Sequence, residues 1–156
     1  MVVLTSHQSR KQKDERDAQH MGRWAVLTIG TSNKEVARSG RVRIVTAYRV
    51  NATDSGDNST LNQQRKVLAL KGRDVTPQKA FDIDIEQQMS SYHAQGDGII
   101  LTGDFNCPLG ERLLQNLTQK FGLVDVMSRL MAETPPTRDS GSQTITHILV
   151  STTIVN

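Results

Sequence analysis

The chain of 156 residues has a single cysteine, Cys107. An internal disulfide is therefore impossible, and no multi-thiol zinc site can form. Aromatic residues are scarce, with one Trp, two Tyr and three Phe. That argues against extensive base stacking of the kind that holds single-stranded nucleic acid. No apolar run approaches the roughly 18 residues of a membrane-spanning helix, so no membrane partner is expected. The start of the chain lacks the apolar stretch of a secretory signal. Met1 to Leu4 is apolar, but Ser, His and Gln follow at once, then a mixture of Arg10, Lys11, Lys13 and Arg16 with Asp14, Glu15 and Asp17. Residues 1–20 are read as a polar N-terminal tail, and an intracellular location is expected. The sequons at Asn51, Asn58 and Asn116 are then chance matches. Gly-x-x-x-x-Gly-Lys, His-Glu-x-x-His and Gly-x-Ser-x-Gly are all absent, which removes the commonest nucleotide, zinc-protease and serine-hydrolase signatures.

What is present fits one domain, over residues 21–156. Apolar residues make up 36% of the chain and charged ones 22%, with 19 Lys and Arg against 16 Asp and Glu, a net charge of +3. A chain of this size can bury one real core. Arg23 to Ile29 suits a strand. Arg41 to Val50 (RVRIVTAYRV) is rich in β-branched residues and suits another. Asn51 to Ser59 holds almost only turn formers. Thr60 is placed to cap a helix over Leu61 to Lys71, with Gly72 as its stop. A second helix starts at Thr76 and Pro77. Its Phe81, Ile85, Met89 and Tyr92 form one apolar stripe. Asp97 to Thr102 reads as a short buried strand, Glu111 to Phe121 as a third helix, and Leu123 to Val126 as an extended piece or a helical turn. Thr134 to Ser142 reads as loop, and Gln143 to Val150 as a last strand. Helices interleaved with strands indicate an α/β or α+β layer fold.

The informative stretch is DGIILTGDFN, from Asp97 to Asn106. A buried strand runs into a glycine, after which Asp104 and Asn106 stand two residues apart. In extended chain these two share a face while Phe105 points the other way. A carboxylate can deprotonate an attacking water, and a carboxamide N–H can donate to a phosphate oxygen as charge builds there. The pair thus suits phosphodiester hydrolysis. The same two residue types also favour turns, so composition leaves a plain turn as the alternative.

Gly103-Asp104-Phe105-Asn106 after an apolar strand resembles the GDFN signature of the endonuclease/exonuclease/phosphatase superfamily. Such a four-residue match arises by chance in on the order of one in a thousand chains of this length. Other segments resemble the family in the same order. These are Met21 to Trp24, Ile44 to Arg49 with its terminal tyrosine, Gln63-Gln64, Pro77 to Asp84, Gly122 to Asp125, and Ile145 to Leu149. Together they cover about residues 17–154 and look most like retrotransposon-type endonucleases.

The resemblance implies an α+β fold, a two-sheet β-sandwich flanked by helices, here partial and missing its outer strands. It implies that Asp104 activates water, that Asn106 binds the scissile phosphate, and that Tyr48 donates its phenolic proton to a phosphate oxygen. A tyrosine ending a strand can equally serve only to pack its ring. The resemblance further implies Mg or Mn as cofactor, although the principal metal-binding glutamate is not found. The family's aspartate in the Ile145 to Leu149 strand falls at Thr146, and no Ser-Asp-His triplet follows. His147 would face the opposite way from Thr146, into packing. Asp82, Asp84 and Glu86 fall on different faces of a helix and suit a solvated surface rather than a metal cluster.

The expected function is a truncated or degenerate metal-dependent phosphodiester hydrolase of retroelement endonuclease type, weakly active or inactive. Nucleic acid, DNA rather than RNA, is the expected partner, with self-association through exposed sheet edges. The alternatives are a non-catalytic nucleic-acid-binding module, holding phosphates through Arg41, Arg43 and Arg49, and a functionless mobile-element remnant.

Overall fold

A computed structural model describes residues 10–30, 41–131, 135–137 and 143–155. They form one sheet of six strands in the order β1-β2-β3-β4-β6-β5. The strands are β1 (Arg10–Arg16), β2 (Trp24–Gly30), β3 (Val42–Tyr48), β4 (Gly98–Asp104), β5 (Leu123–Asp125) and β6 (Thr146–Ser151). The helices are α1 (Thr60–Leu70), α2 (Pro77–Ala94), α3 (Arg112–Phe121), α4 (Val126–Leu130) and α5 (Thr152–Val155). The α+β expectation holds, and the described residues form one mixed sheet flanked by helices. Part of the stretch expected to be loop, 134 and 138–142, lies outside the described residues, as do residues 1–9 of the expected tail.

Residues 10–16 correct the expected N-terminal tail. They pair antiparallel with β2, Glu15 opposite Val26. No apolar residue occurs in this strand (RKQKDER), so no hydrophobic alternation announces it. Such a row suits the sheet edge where it lies, because charge there discourages pairing with another chain.

β3 and β4 are parallel, and the chain returns between them through α1 and α2, as a parallel pair requires. The helix starts are set by hydroxyls. Thr76 Oγ1 accepts from Lys79 N–H at 3.2 Å, and Pro77 occupies the first turn of α2. For α1 the cap is Ser59 rather than Thr60, its Oγ accepting from Asn62 N–H at 3.3 Å. Both residues carry a hydroxyl, and the one whose backbone stays extended takes the role.

One face of the sheet makes the core. Val26, Val45, Leu101 and Leu149 point into it and are essentially solvent-free. The α2 stripe of Phe81, Ile85, Met89 and Tyr92 and the α3 set of Leu113, Leu114, Leu117 and Phe121 cover them. On the opposite face Ala25, Thr46, Tyr48, Thr146 and Ile148 are exposed, while Leu27, Ile44 and Ile100 are half-buried. At one end α5 closes this face, where Ile154 stands against Gly98 and Val150 is buried, while the end that carries Tyr48, Asp104 and Thr146 is open among the described residues.

Three arginines set aside for phosphate contact are committed inside the fold. Arg43 is buried, donates through Nε to Asp97 Oδ2 at 2.8 Å, and lies over the Tyr92 ring at 4.6 Å. Arg41 Nε donates to the other oxygen of Asp97 at 2.8 Å, and Arg49 Nε to Asp82 Oδ1 at 2.8 Å. The acidic row on α2 is likewise spoken for. Asp82 holds Arg49, Glu86 holds Lys120, and Asp84 is drawn inward to Arg23 and Arg73 rather than left in solvent.

Candidate active site

The site grows from the end of β4. Gly103 has φ +150°, and a Cβ there would stand 1.8 Å from the Ala47 carbonyl oxygen on the neighbouring strand. No side chain fits, so the glycine of GDFN is a requirement of close β3–β4 approach. Just beyond it, Arg49 N–H donates to the Asp104 carbonyl at 2.8 Å and Phe105 N–H to that of Ile145 at 3.0 Å. Phe105 is fully buried. Its ring meets Phe81 edge-on at 6.3 Å and His147 at 6.1 Å. This inward anchor turns the chain so that Asp104 and Asn106 stay at the surface.

The pairing of Asp104 with Asn106 does not come from strand alternation. β4 ends at Asp104, and Asn106 has a left-handed φ of +49°, which Asn tolerates better than most residues. Its backbone N–H donates to Asp104 Oδ1 at 2.9 Å, and its Nδ2 donates to the Arg49 carbonyl at 2.6 Å. The turn reading and the paired-side-chain reading are thus both met by one Asx turn. One amide N–H of Asn106 and the second oxygen of Asp104 remain without a partner among the described residues.

Tyr48 stands beside this turn. It is the Cα partner of Asp104 across the parallel β3–β4 pair, and Thr146 is the Cα partner of Asp104 on the other side. All three therefore share the open end of the less covered face. Tyr48 is 39% exposed. Partial burial, and after it the nearby charges of Asp104 and Asp54, push its phenol above the usual value of 10.0. The hydroxyl therefore keeps its proton and can act as a donor. Asp54 comes from the Asn51 to Ser59 loop, where a run of turn formers gave no cue to chemistry.

His147 points to the other face, as its position next to Thr146 dictates. It is buried, with Nδ1 3.0 Å from Asp125 Oδ2 and Nε2 3.0 Å from the Cys107 carbonyl. It ties β6 to β5 and to the GDFN turn and does not face Asp104. Cys107 is also buried, and burial above all pushes its thiol up to about 11, so it is no nucleophile.

The divalent ion implied by the resemblance would meet Asp104 here. Among the described residues no three His, Cys, Asp or Glu side chains come together. The described residues therefore offer Asp104 as a single carboxylate ligand and no complete metal centre.

No family model and no curated protein matches the chain. Solved structures do. The human nocturnin catalytic domain with bound sulfate is 12% identical, with a TM-score of 0.53 over 94% of this chain and 50% of its own. The chain has the endonuclease/exonuclease/phosphatase fold. A Neisseria 3′ phosphatase, NExo, bound to a product DNA hairpin, is 17% identical with a TM-score of 0.49, covering 92% of this chain and 60% of that one. Zebrafish TDP2 with a single-stranded DNA product is 12% identical at 0.44, covering 94% and 54%. The chain spans about half the length of the solved structures it matches.

Proposed function

We propose that the chain carries a nucleic-acid phosphodiesterase site, nuclease-like and impaired, at Asp104, Asn106 and Tyr48. The observation that carries this reading is the Asx turn that places a half-free carboxylate and a half-free amide beside a protonated tyrosine on the open sheet face. The free oxygen of Asp104 would take a proton from water as the water oxygen bonds to phosphorus and the ester P–O bond breaks. The remaining N–H of Asn106 and the Tyr48 hydroxyl would donate to the phosphate oxygens that gain charge. Impairment is argued from Thr146, which sets a neutral hydroxyl beside Asp104. The lack of a three-ligand cluster among the described residues adds to it. Single catalytic groups contribute about 10²–10⁴-fold in rate, so a site relying on three neutral or singly charged groups turns over slowly. DNA as substrate, a retroelement origin, Mg or Mn as the ion supplied from solution, and self-association belong to the same proposal.

The test is nicking of supercoiled plasmid with magnesium or manganese, beside a DNA-binding titration. The expected result is measurable binding with slow nicking that Asp104→Ala removes. Nicking that survives Asp104→Ala would overturn the site assignment, and fast nicking would overturn the impairment. Binding with no cleavage leaves the chain a nucleic-acid-binding module. Neither binding nor cleavage leaves it a remnant without this function.

A further inference from the structure

Beside Tyr48 lies a cavity of about 480 Å³, open to solvent and bordered by His20, Arg23, Trp24, Ala25, Thr46 and Tyr48. His20 sits in the loop between β1 and β2. Its φ of +59° makes it, with Asn106, one of two non-glycine residues in the left-handed region among those described. The two flank Tyr48 from opposite sides. Tyr48 N–H donates to the Arg23 carbonyl at 2.8 Å, next to the His20 loop, and Arg49 N–H donates to Asp104 at 2.8 Å, next to Asn106.

The loop under His20 is unusually well fixed for a surface connection. Asp17 and Arg23, each 1% exposed, pair at its two ends. Arg23 Nε reaches Asp17 Oδ2 at 2.7 Å and Nη2 reaches Oδ1 at 2.9 Å. Gln19 N–H donates to Asp17 Oδ1 at 2.9 Å, and His20 N–H donates to the Asp17 carbonyl at 2.9 Å. Arg23 Nη2 also reaches Asp84 Oδ2 on α2 at 2.9 Å. Against all this bonding, Arg23 Nη1 is buried without an acceptor among the described residues. The imidazole of His20 itself is exposed and makes no hydrogen bond to any described residue. A well-bonded base thus holds one solvent-exposed ring at the lip of a cavity, in a backbone conformation that costs energy unless the surroundings enforce it. Such preorganisation suits ligand contact, whereas a loop serving only to connect two strands needs none of it.

We propose that this cavity takes a phosphate further along the nucleic-acid strand whose scissile phosphate lies at Asp104, with the His20 ring as its N–H donor. Asp104 on β4, Tyr48 on β3 and the end of β2 succeed one another across the sheet. Two strand spacings, about 10 Å, separate the turn from the His20 loop, so a short run of backbone crossing Tyr48 reaches both. The proposal rests on the phosphodiesterase reading and extends it to a second contact.

The test uses a fluorescein-labelled 20-base-pair DNA duplex, with affinity read by anisotropy at low salt for the full chain. Two variants separate side chain from backbone. Glycine suits a left-handed φ, so His20→Gly keeps the loop and removes the ring. Asn also tolerates that conformation and restores an N–H donor. The expected result is that His20→Gly weakens binding about fivefold, with a urea unfolding midpoint no lower than wild type, and that His20→Asn recovers part of the loss. Wild-type affinity in His20→Gly would overturn this inference while leaving the phosphodiesterase reading intact. A wild-type chain that does not bind the duplex would remove both.

Discussion

At the scale of single residues, the site depends on what Gly103 does not have. Its missing Cβ lets β3 and β4 close up, and that closeness brings Tyr48 level with Asp104. Gly103→Ala would force a methyl to within 1.8 Å of backbone oxygen. The backbone must give way, so we expect a stability loss of at least about 3 kcal/mol, read as a lowered urea midpoint, together with loss of DNA binding. A variant as stable as wild type would show that the strand pair is looser than the geometry requires. The glycine's place after an apolar strand was legible in the sequence, but its reason was not, because it lies in the Ala47 carbonyl of a strand more than fifty residues away. The partnership of Asp104 with Asn106 was legible too, although the reasoning from alternation gave the wrong cause. The two meet through an Asx turn, and turn geometry depends on φ values that residue spacing does not encode. Asp54 and His20 were not legible. Both come from stretches of polar residues whose position against Tyr48 is decided by long-range strand pairing.

At the scale of elements, helices announced themselves and charged strands did not. The stripe of Phe81, Ile85, Met89 and Tyr92 has the helical period, and all four are buried under α2. β1 has no apolar residue to show a period, and its existence follows from β2 having a free edge. Two buried polar ties then hold the elements together. In the first, burial would raise the carboxyls of Asp17 and Asp84. Bonds from Arg23 to Asp17, and from Arg73 and Arg23 to Asp84, outweigh it and hold both below their ordinary value of 3.8. A carboxyl lowered in the folded state stabilises it above that value, and the contribution disappears as pH falls through the lower folded value. Stability should therefore decline on acidification below about pH 4. Asp84→Asn should flatten that decline while lowering stability at neutral pH, and urea unfolding at a series of pH values from 6 downward checks both. An unchanged acid profile in the variant would remove Asp84 from the account.

The second tie is Asp125, which bonds His147 across β5 and β6 and caps α4 by accepting from Ser128 N–H at 3.1 Å. Asp125→Asn keeps an oxygen for the cap and loses the charge facing the ring, whereas Asp125→Ala loses both and leaves His147 unpaired in the interior. We expect about 1–2 kcal/mol for the first and about 3–5 kcal/mol for the second, measured by denaturant unfolding. Equal losses would mean that the cap carries nothing.

At the scale of the whole molecule, the sheet has one sealed face and one less covered face. Leu27, Ile44, Ile100 and Ile148 lie on the less covered side, which α5 closes only in part, at Gly98. Four strands of about 23 Å at spacings of about 4.8 Å present at most roughly 450 Å², within the range that a monomer ordinarily leaves to water. Apart from Asp104 at its end, the residues of β2, β3, β4 and β6 on this face carry no charge, so a second copy meets it without like-charge repulsion. Two such faces bury at most about 900 Å², just under the ~1,000 Å² of a durable interface. The expected outcome is a weak dimer that forms as concentration rises. Sedimentation velocity across a concentration series should show it. Ile44→Lys should abolish it at little cost to stability, since Ile44 is only half-buried. Tyr48 and Asp104 lie on the same face, so on the proposed function DNA and the second copy would compete for it. Added duplex should then dissociate the dimer, and a ternary species in which dimer and DNA coexist would show that the copies meet elsewhere, along a sheet edge such as β1.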